Sequence, residues 1–297
     1  MLFPVPRGSK VGIVSPSCAL DSPAQIRDGL RWLESCGYRV SLGKYVYDSF
    51  NHMAGTPEQR AEDLMHFFKD PETKAIFATC GGYGAQYILP LLDYEIIRKN
   101  PKPLIGFSDI TALQAGIFTQ TGNISYAGIL LKYDFAGGNI HPYTAQSLLQ
   151  ILDNTVDEIT GGITVNPGYA EGRLIGTNLC VLQLLAGTPF YPDLNNTILL
   201  LEDVDDKSYR FERMLLQLRQ QPGFTGVQAI IFGQFSDVYL NHPDDKDLNQ
   251  IIDEFAATVK IPIIKNFPFG HVRARKTVPI GARVAVDAGK PTLYIKS

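Results

Sequence analysis

The sequence is poor in cysteine, and the four cysteines that it has are widely spaced. Cys18, Cys36, Cys80 and Cys180 include no C-x-x-C pair, which disfavours a zinc site or a disulfide framework and is typical of a reducing compartment. Long apolar runs are also missing: no stretch of about 18 consecutive apolar residues occurs, and no charged start leads into such a stretch. We therefore expect a cytoplasmic protein.

The sequence is also slightly poor in charged residues. Charged residues make up 19% of the 297 residues, and the formal net charge is −3. Because Lys and Arg are scattered and form no stripe, neither nucleic acid nor an anionic membrane is expected as a partner. A hydrophobic content of 45% argues against disorder, and the length suits two domains that each bury a core.

Strand and helix patterns alternate along the first half of the chain. Three short apolar segments predict parallel strands: residues 10–15, 74–79 and 104–107. Residues 39–42 can form a further strand. Ser22 and Thr56 are each followed three residues later by Gln, which is the spacing of a helix capping box. We therefore predict an α/β fold that begins with a series of βαβ units on a mostly parallel sheet.

The second half contains another set of strand and helix patterns after a glycine-rich region. We predict an N-terminal domain over 1–140, a linker region over 141–171 and a smaller C-terminal α/β domain over 172–297. In the last of these we expect a turn and a helix over 172–185. The apolar segments 196–201 and 278–286 predict strands.

Residues 103–118 predict a strand that turns sharply into a helix, with Ser108 at the turn. Such a turn lifts a side chain out of the sheet edge and leaves the backbone N–H groups that follow it free to face an anion. Ser108 is therefore a candidate nucleophile. The alternative is a helix cap, because serine is a preferred N-cap residue. The motif G-F-S-D-I also differs from the G-x-S-x-G turn of many hydrolases.

Gly81 and Gly82 follow the predicted strand 74–79 directly. Glycine allows a backbone N–H to approach a reacting oxygen closely, so this pair can supply one half of an oxyanion hole, with the N–H of Asp109 as the other half. A tight turn without any ligand explains the glycines equally well. A phosphate-binding loop is less favoured, since neither standard glycine motif for phosphate is present.

A serine nucleophile needs a base, and His271 is the candidate among the five histidines. It follows the rigid loop 266–270, which can project an imidazole, and Glu202 at the end of the predicted strand 196–201 can orient its ring. The alternative for Glu202 is a solvated acid among other strand-end acids. Arg273, Arg275 and Lys276 can bind a substrate carboxylate or form a solvated basic face.

Taken together, these segments resemble the murein LD-carboxypeptidase family of serine peptidases. The similar motifs run in order over almost the whole chain: Ala78–Gly84, Leu104–Leu113, Gly172–Leu179, Leu200–Val204 with Tyr209–Arg210 and Arg213–Met214, and Phe267–His271. By this resemblance Ser108 is the nucleophile, and Glu202 and His271 complete the triad. Gly82 and Asp109 supply the oxyanion hole.

The resemblance also implies an activity. The family cleaves the L-to-D bond that releases terminal D-alanine from murein tetrapeptides during peptidoglycan recycling, usually as a cytoplasmic homodimer, and we expect neither a metal nor a cofactor. Three positions depart from the family pattern: Cys80, where Arg is common; Tyr126–Gly128, in place of His-Gly-Pro; and Thr177, in place of a second Gly. These departures concern the identity of the substrate more than the triad.

Three other functions are weighed against this one. A relative of the microcin C self-immunity peptidase would use the same triad on an aminoacyl-sulfamoyl adenylate. A glutamine amidotransferase with Cys80 as nucleophile would need a His-x-Glu pair, which the sequence lacks. A non-catalytic solute-binding protein of two α/β domains would share the fold but would need export.

Overall fold

The computed structural model describes residues 2–296. The first half of the chain contains, in order, β1 (Lys10–Val14), α1 (Ala24–Ser35), β2 (Arg39–Leu42), α2 (Pro57–Lys69), β3 (Thr73–Ala78), α3 (Tyr94–Lys99), β4 (Leu104–Gly106), α4 (Thr111–Thr121), β5 (Ser125–Ala127), α5 (Leu131–Asp134) and α6 (Pro142–Leu152). Short 3-10 helices span Ala85–Leu91 and Ser108–Ile110.

The second half contains, in order, β6 (Glu158–Thr160), β7 (Ile163–Asn166), β8 (Tyr169–Asn178), α7 (Leu179–Leu184), β9 (Thr197–Glu202), β10 (Val204–Lys207), α8 (Ser208–Arg219), β11 (Val227–Phe232), β12 (Ser236–Tyr239), α9 (Leu248–Ala257), β13 (Ile263–Lys265), β14 (Val278–Ile280), β15 (Arg283–Asp287) and β16 (Thr292–Ile295). A third 3-10 helix spans Phe224–Gly226. Within residues 2–296, none of the helices combines the length and the apolar character that crossing a bilayer requires.

The chain forms two compact units. The N-terminal unit comprises residues 2–155 and 276–281, and the C-terminal unit comprises 156–275 and 282–296. This division differs from the predicted boundaries, because the expected linker 141–171 contains α6 and the strands β6, β7 and the start of β8. Its glycine pair, Gly161–Gly162, connects β6 to β7, and both residues have positive φ.

The N-terminal unit is built on a mostly parallel sheet with the strand order β14-β5-β4-β3-β1-β2. All neighbouring pairs in it are parallel except β14 and β5. Strands β3, β4 and β5 are buried along almost their whole length, as the continuous apolar segments predict. The carboxyl ends of β3 and β4 therefore meet at one edge of the sheet, where the Gly81 loop and Ser108 begin.

Capping explains where two helices of this unit start. Thr56 caps α2, and Gln59 closes the predicted box with both of its hydrogen bonds. The box predicted at Ser22 is wrong: α1 begins at Ala24, and the Gln25 side chain bonds the backbone and side chain of Asp21 instead. The capping position falls on Pro23, which has no polar side chain to offer.

The C-terminal unit contains a sheet with the strand order β6-β16-β15-β8-β9-β11-β13-β7. Its centre, β8-β9-β11-β13, is parallel, and the strands on both sides of this centre are antiparallel. Strands β10 and β12 form a separate parallel pair. Together the two sheets confirm the α/β fold class. β9 is buried along its whole length and ends at Glu202.

Two glycines explain where the strand predictions for this half were wrong. Gly172 lies inside β8 and not in a turn. Glycine is present there for its close packing, because a Cβ would come within 2.8 Å of the Asn196 carbonyl oxygen of the neighbouring segment. The strand predicted over 278–286 is two strands. Gly281, with φ +90°, separates β14 from β15, and the two strands pair in different sheets.

Candidate active site

Ser108 lies at the turn between β4 and α4, as predicted. Its φ is +64°, in the left-handed region that non-glycine residues adopt at a cost of about 1 kcal/mol. The capping positions of the short helix Ser108–Ile110 and of α4 are Phe107 and Ile110. The Ser108 side chain therefore does not cap either helix. Strained turns of this kind are used by enzymes to present a nucleophile at the edge of a sheet.

The Gly81–Gly82 loop lies directly against this turn. A Cβ built on Gly81 would be 3.0 Å from Ser108 Oγ and 3.5 Å from the Asp109 backbone nitrogen. Gly82 has φ +108°, and a Cβ there would overlap the sulfur of Cys18. Gly82 therefore requires glycine because of its backbone conformation, whereas a side chain at Gly81 would make a tight contact that forces Ser108 to shift.

Glu202 and His271 form a close pair within the C-terminal unit. Glu202 Oε2 lies 2.6 Å from His271 Nδ1, and the carboxylate is fully buried, whereas the histidine side chain is 17% exposed. An ionised carboxylate only accepts hydrogen bonds, so this contact places a proton on Nδ1. The Nε2 atom is then the unprotonated nitrogen of the ring and therefore the basic one.

Backbone contacts hold the loop that carries His271. Phe267 N donates to Phe232 O at 3.0 Å, and Gln234 N donates to Phe269 O at 2.6 Å. The side chains of Phe267 and Phe269 are fully buried. A Cβ on Gly270 would overlap the Gln234 carbonyl oxygen. The loop is thus hydrogen-bonded to the end of β11 and to the segment that follows it. His271 is the next residue after this loop.

Asp203 is a feature of the site that sequence reasoning missed, since it was assigned no role of its own. It is 5% exposed. Its Oδ1 accepts from Asn178 Nδ2 and Val204 N, each at 2.9 Å, and its Oδ2 accepts from Cys180 N at 2.8 Å. Burial raises the pKa of Asp203 to about 6, although these bonds favour the charged form. The continuation of an apolar strand directly into Asp203 was the available signal.

Two of the positions that depart from the family pattern have a clear structural description. Thr177 is fully buried with φ +142°, a backbone conformation that glycine adopts far more easily. The Cys80 thiol is buried and donates to Cys18 O at 2.8 Å. Burial raises the pKa of Cys80 to about 11, which keeps it a thiol at neutral pH and argues against a cysteine nucleophile.

The three basic residues after His271 differ in exposure. Arg273 is exposed, whereas Arg275 is buried and donates from Nη1 to Val272 O at 2.6 Å. Lys276 belongs to the N-terminal unit, where its Nζ lies 4.2 Å from the centre of the Tyr143 ring. A solvated basic face therefore does not describe the set, because Arg275 supports its own loop.

Each unit brings part of the predicted site together. In the N-terminal unit these are Ser108, Asp109 and the Gly81–Gly82 loop, and in the C-terminal unit they are Glu202 and His271. Within residues 2–296, no group of three or more His, Cys, Asp or Glu side chains is arranged to hold a metal ion.

Comparison with known families shows that each half of the chain matches a known domain. Residues 11–128 match the model of the LD-carboxypeptidase N-terminal domain, and residues 171–286 match the model of the LD-carboxypeptidase C-terminal domain. The chain belongs to the LD-carboxypeptidase family. The resemblance that the sequence motifs indicated is thereby confirmed, and so is its class of enzyme: LD-carboxypeptidases are hydrolases of the serine carboxypeptidase type.

Curated relatives match this LD-carboxypeptidase over nearly its full length. It is 33% identical to a probable murein peptide carboxypeptidase of Bacillus subtilis, with 98% of this chain and 92% of the relative covered. It is 32% identical to a murein tetrapeptide carboxypeptidase of Pseudomonas aeruginosa, with 96% of this chain and 95% of the relative covered.

Solved structures show the same fold. The microcin C7 self-immunity protein MccF in complex with glutamyl sulfamoyl guanosine is 26% identical, with a TM-score of 0.91, and the match covers 100% of this chain and 98% of that one. A muramoyltetrapeptide carboxypeptidase from Oxalobacter formigenes is 28% identical, with a TM-score of 0.88, covering 97% of this chain and 99% of that one.

Proposed function

We propose that the protein is a serine carboxypeptidase that releases terminal D-alanine from murein tetrapeptides with a triad of Ser108, His271 and Glu202. The observation that supports it most directly is the 2.6 Å contact between Glu202 Oε2 and His271 Nδ1, formed by a buried carboxylate. The left-handed turn at Ser108 supports the nucleophile. The proposal brings one group from the N-terminal unit together with two groups from the C-terminal unit.

His271 and Ser108 carry out the first chemical step. Nε2 of His271 takes the proton of Ser108 Oγ while Oγ attacks the carbonyl carbon of the L-to-D bond. The imidazolium then gives this proton to the amine of the departing D-alanine, and the acyl group stays on Ser108. Water, activated by the same histidine, hydrolyses this ester and restores the enzyme.

Glu202 orients the histidine and stabilises its charged form. Because the carboxylate lies in a buried position at the end of β9, its interaction with an imidazolium is screened less than it would be in water. Fixing the proton on Nδ1 also leaves Nε2 as the basic atom throughout the cycle. The carboxylate does not need to take up the proton itself.

The backbone N–H groups of Gly82 and Asp109 are proposed to stabilise the tetrahedral intermediate. They follow β3 and β4, whose carboxyl ends lie at one edge of the N-terminal sheet. Donors that are fixed before the reaction need not reorient as negative charge develops on the oxygen. The approach of Gly81 to Ser108 Oγ supports this arrangement, because it brings the glycine loop beside the attacking atom.

A murein peptide is favoured as substrate by the names of the relatives at 32% and 33% identity. The second candidate is an aminoacyl nucleotide conjugate, which the fold match to MccF with glutamyl sulfamoyl guanosine favours. The E. coli MccF sequence is less similar, at 28% identity. A cytoplasmic location and a homodimer stay predictions.

The central test replaces Ser108 with Ala. Release of D-alanine from a muropeptide tetrapeptide, followed by mass spectrometry, should fall by roughly a thousandfold or more, as when a triad member is removed. Ser35→Ala, which removes an exposed hydroxyl on α1, serves as the control. Wild-type turnover by folded Ser108→Ala protein would contradict the proposal. Faster wild-type turnover of an aminoacyl-sulfamoyl adenylate than of the tetrapeptide would favour the second candidate.

A further inference from the structure

The proposed mechanism uses only the backbone of Asp109, yet its side chain makes two specific contacts. Asp109 is 5% exposed. Its Oδ2 accepts hydrogen bonds from Ser17 Oγ at 2.5 Å and from Ala85 N at 2.8 Å. Ala85 begins the 3-10 helix that follows the glycine loop. One carboxylate oxygen therefore ties the turn of the nucleophile to the far end of the Gly81–Gly82 loop.

Ser17 contacts the same loop from a second direction. Its side chain is fully buried, and its Oγ lies 3.1 Å from Tyr83 O as well as 2.5 Å from Asp109 Oδ2. The next residue, Cys18, donates from its backbone nitrogen to Gly81 O at 3.3 Å. The segment after β1 thus holds the glycine loop at both of its sides.

Arg60 on α2 completes the arrangement with a buried positive charge. It is 2% exposed, and its Nη1 donates to Pro16 O at 2.7 Å and to Gly84 O at 2.9 Å. These carbonyls belong to the same two segments that Ser17 joins. Burial raises the pKa of Asp109, while the Ser17 hydrogen bond and the charge of Arg60 favour its ionised form.

We propose that Asp109, Ser17 and Arg60 form a positioning network that fixes the Gly81–Gly82 loop against the Ser108 turn and thereby sets the geometry of the oxyanion hole. The three side chains act through the backbone and are not placed on the substrate. The inference rests on the proposed function, since it assigns the network to the step in which Ser108 attacks.

The physical reason is that an oxyanion hole depends on fixed donors. Backbone N–H groups stabilise the intermediate only when they lie within hydrogen-bond distance of the developing oxyanion, and a shift of about 1 Å can lower the rate a hundredfold. Glycine pairs such as Gly81–Gly82 are conformationally free by themselves. Contacts from three directions supply the rigidity that the glycines lack.

The first experiment compares two buried serines at the end of β1. Ser17→Ala removes the hydroxyl that contacts Asp109. Ser15→Ala removes an equally buried hydroxyl that contacts Val46 O at 2.8 Å and Thr79 Oγ1 at 2.7 Å. We expect Ser17→Ala to lower kcat about tenfold, less than the loss of a donor itself, with KM nearly unchanged. Ser15→Ala should leave kcat within about twofold of wild type.

The second experiment compares two buried aspartates of the N-terminal unit. Asp109→Asn removes the charge that faces Ser17, Ala85 and Arg60. Asp63→Asn is the matched control, because Asp63 is 4% exposed and accepts from Lys44 N at 2.8 Å and Tyr45 N at 2.9 Å. Both variants should lower the melting temperature, but only Asp109→Asn should lower kcat, by about tenfold or more. This pair decides the question if Ser17→Ala fails to fold.

A third measurement separates this inference from the proposed substrate. The rate at which a fluorophosphonate labels Ser108 depends on the nucleophile and the oxyanion hole but not on the peptide, so it should fall in Ser17→Ala and Asp109→Asn and stay unchanged in the two controls. This pattern supports the network even if the tetrapeptide is not turned over.

Two outcomes overturn the inference. If kcat and the labelling rate of Ser17→Ala and Asp109→Asn equal those of their matched controls, the network is structural only, and the proposed function stands. If the wild-type protein is not labelled at Ser108, and Ser108→Ala keeps full activity, the serine is not the nucleophile and both proposals fall.

Discussion

The two units hold their functional groups in different ways. In the N-terminal unit, Ser108 lies on a left-handed turn whose neighbour Asp109 is fixed by the Ser17 hydroxyl and a backbone N–H. In the C-terminal unit, the loop before His271 is fixed by backbone hydrogen bonds and two fully buried phenylalanines, and one carboxylate contacts the ring. A nucleophile and its oxyanion donors need a fixed backbone, whereas a base needs one correctly placed charge.

Both units nevertheless follow one rule of parallel sheets. The Gly81 loop and Ser108 follow β3 and β4, while Glu202 ends β9 and the segment that contacts Phe269 follows β11. In each case the groups lie at the carboxyl ends of adjacent parallel strands, where the chain leaves the sheet and functional loops gather. The difference between the units lies in how the loops are fixed and not in where they begin.

The largest effect on activity is expected when one catalytic group is removed from each unit. Ser108→Ala and His271→Ala should each lower kcat by roughly a thousandfold or more, and the double variant should be no slower than either single variant, because triad members act as one device. Steady-state kinetics on the tetrapeptide measures all three proteins. Losses that multiply in the double variant would mean that the units act independently, which the proposed triad does not allow.

A smaller effect is expected from Asp203, the buried acid of the C-terminal unit. Since burial raises its folded-state pKa to about 6, above the unfolded value near 3.9, the folded protein holds the proton more tightly. The stability that this proton contributes is fully present below pH ~4 and is lost as the pH rises through about 6, by at most about 3 kcal/mol. Asp203→Asn cannot titrate and should lack this loss.

Urea unfolding between pH 4 and 8 measures this effect. The free energy of unfolding of wild type, relative to that of Asp203→Asn, should fall as the pH rises through this range. Asp205→Asn, which changes an exposed acid two residues away, should keep the wild-type dependence. Parallel curves for wild type and Asp203→Asn would show that hydrogen bonds to Asp203 offset its burial.

The smallest effect concerns the backbone of the N-terminal turn. Ser108→Gly and Ser108→Ala both lack the nucleophile, but the left-handed φ of +64° strains alanine and not glycine. The Gly variant should therefore be the more stable of the two by about 0.5–1 kcal/mol, after the greater entropy of unfolded glycine is subtracted. Urea unfolding at neutral pH measures the difference.

A control in the next helix has the opposite sign. Ala112→Gly lies inside α4, where glycine should lower the free energy of unfolding by about 1 kcal/mol. If Ser108→Ala proves at least as stable as Ser108→Gly, the turn is not strained in solution, and the backbone argument for the nucleophile is lost.

Predictions made from short-range signals were the more successful part of the sequence analysis. The capping box at Thr56 and the strand before Ser108 are both present, because each depends on residues only a few positions apart. The helix start at Ser22 and the turn at Gly172 were wrong. At Ser22 the Gln25 side chain bonds Asp21, an equally local alternative, and at Gly172 the reason for glycine lies in a neighbouring segment of the chain.

The candidate site shows the same contrast between what short-range signals predict and what distant segments decide. Glu202 and His271 were chosen from the ends of an apolar strand and a rigid loop, and their contact joins residues 69 positions apart. Asp203 lies nearer to the apolar strand than Asp205 does, but this local signal alone does not establish that the first is buried and the second exposed. Burial depends on which elements cover a side chain, and that information is spread over the whole unit.

The sequence by itself determined the alternation of strands and helices in the first half of the chain, the sharp turn at Ser108 and the family, because these follow from periodicity, capping and short motifs. Only the tertiary structure decided that Asp109 binds Ser17 across 92 positions, that Asp203 is buried and that Gly172 lies inside a strand. Hydrogen bonds and burial of this kind form between segments distant in the chain, so their energy appears only when the packed unit brings those atoms together.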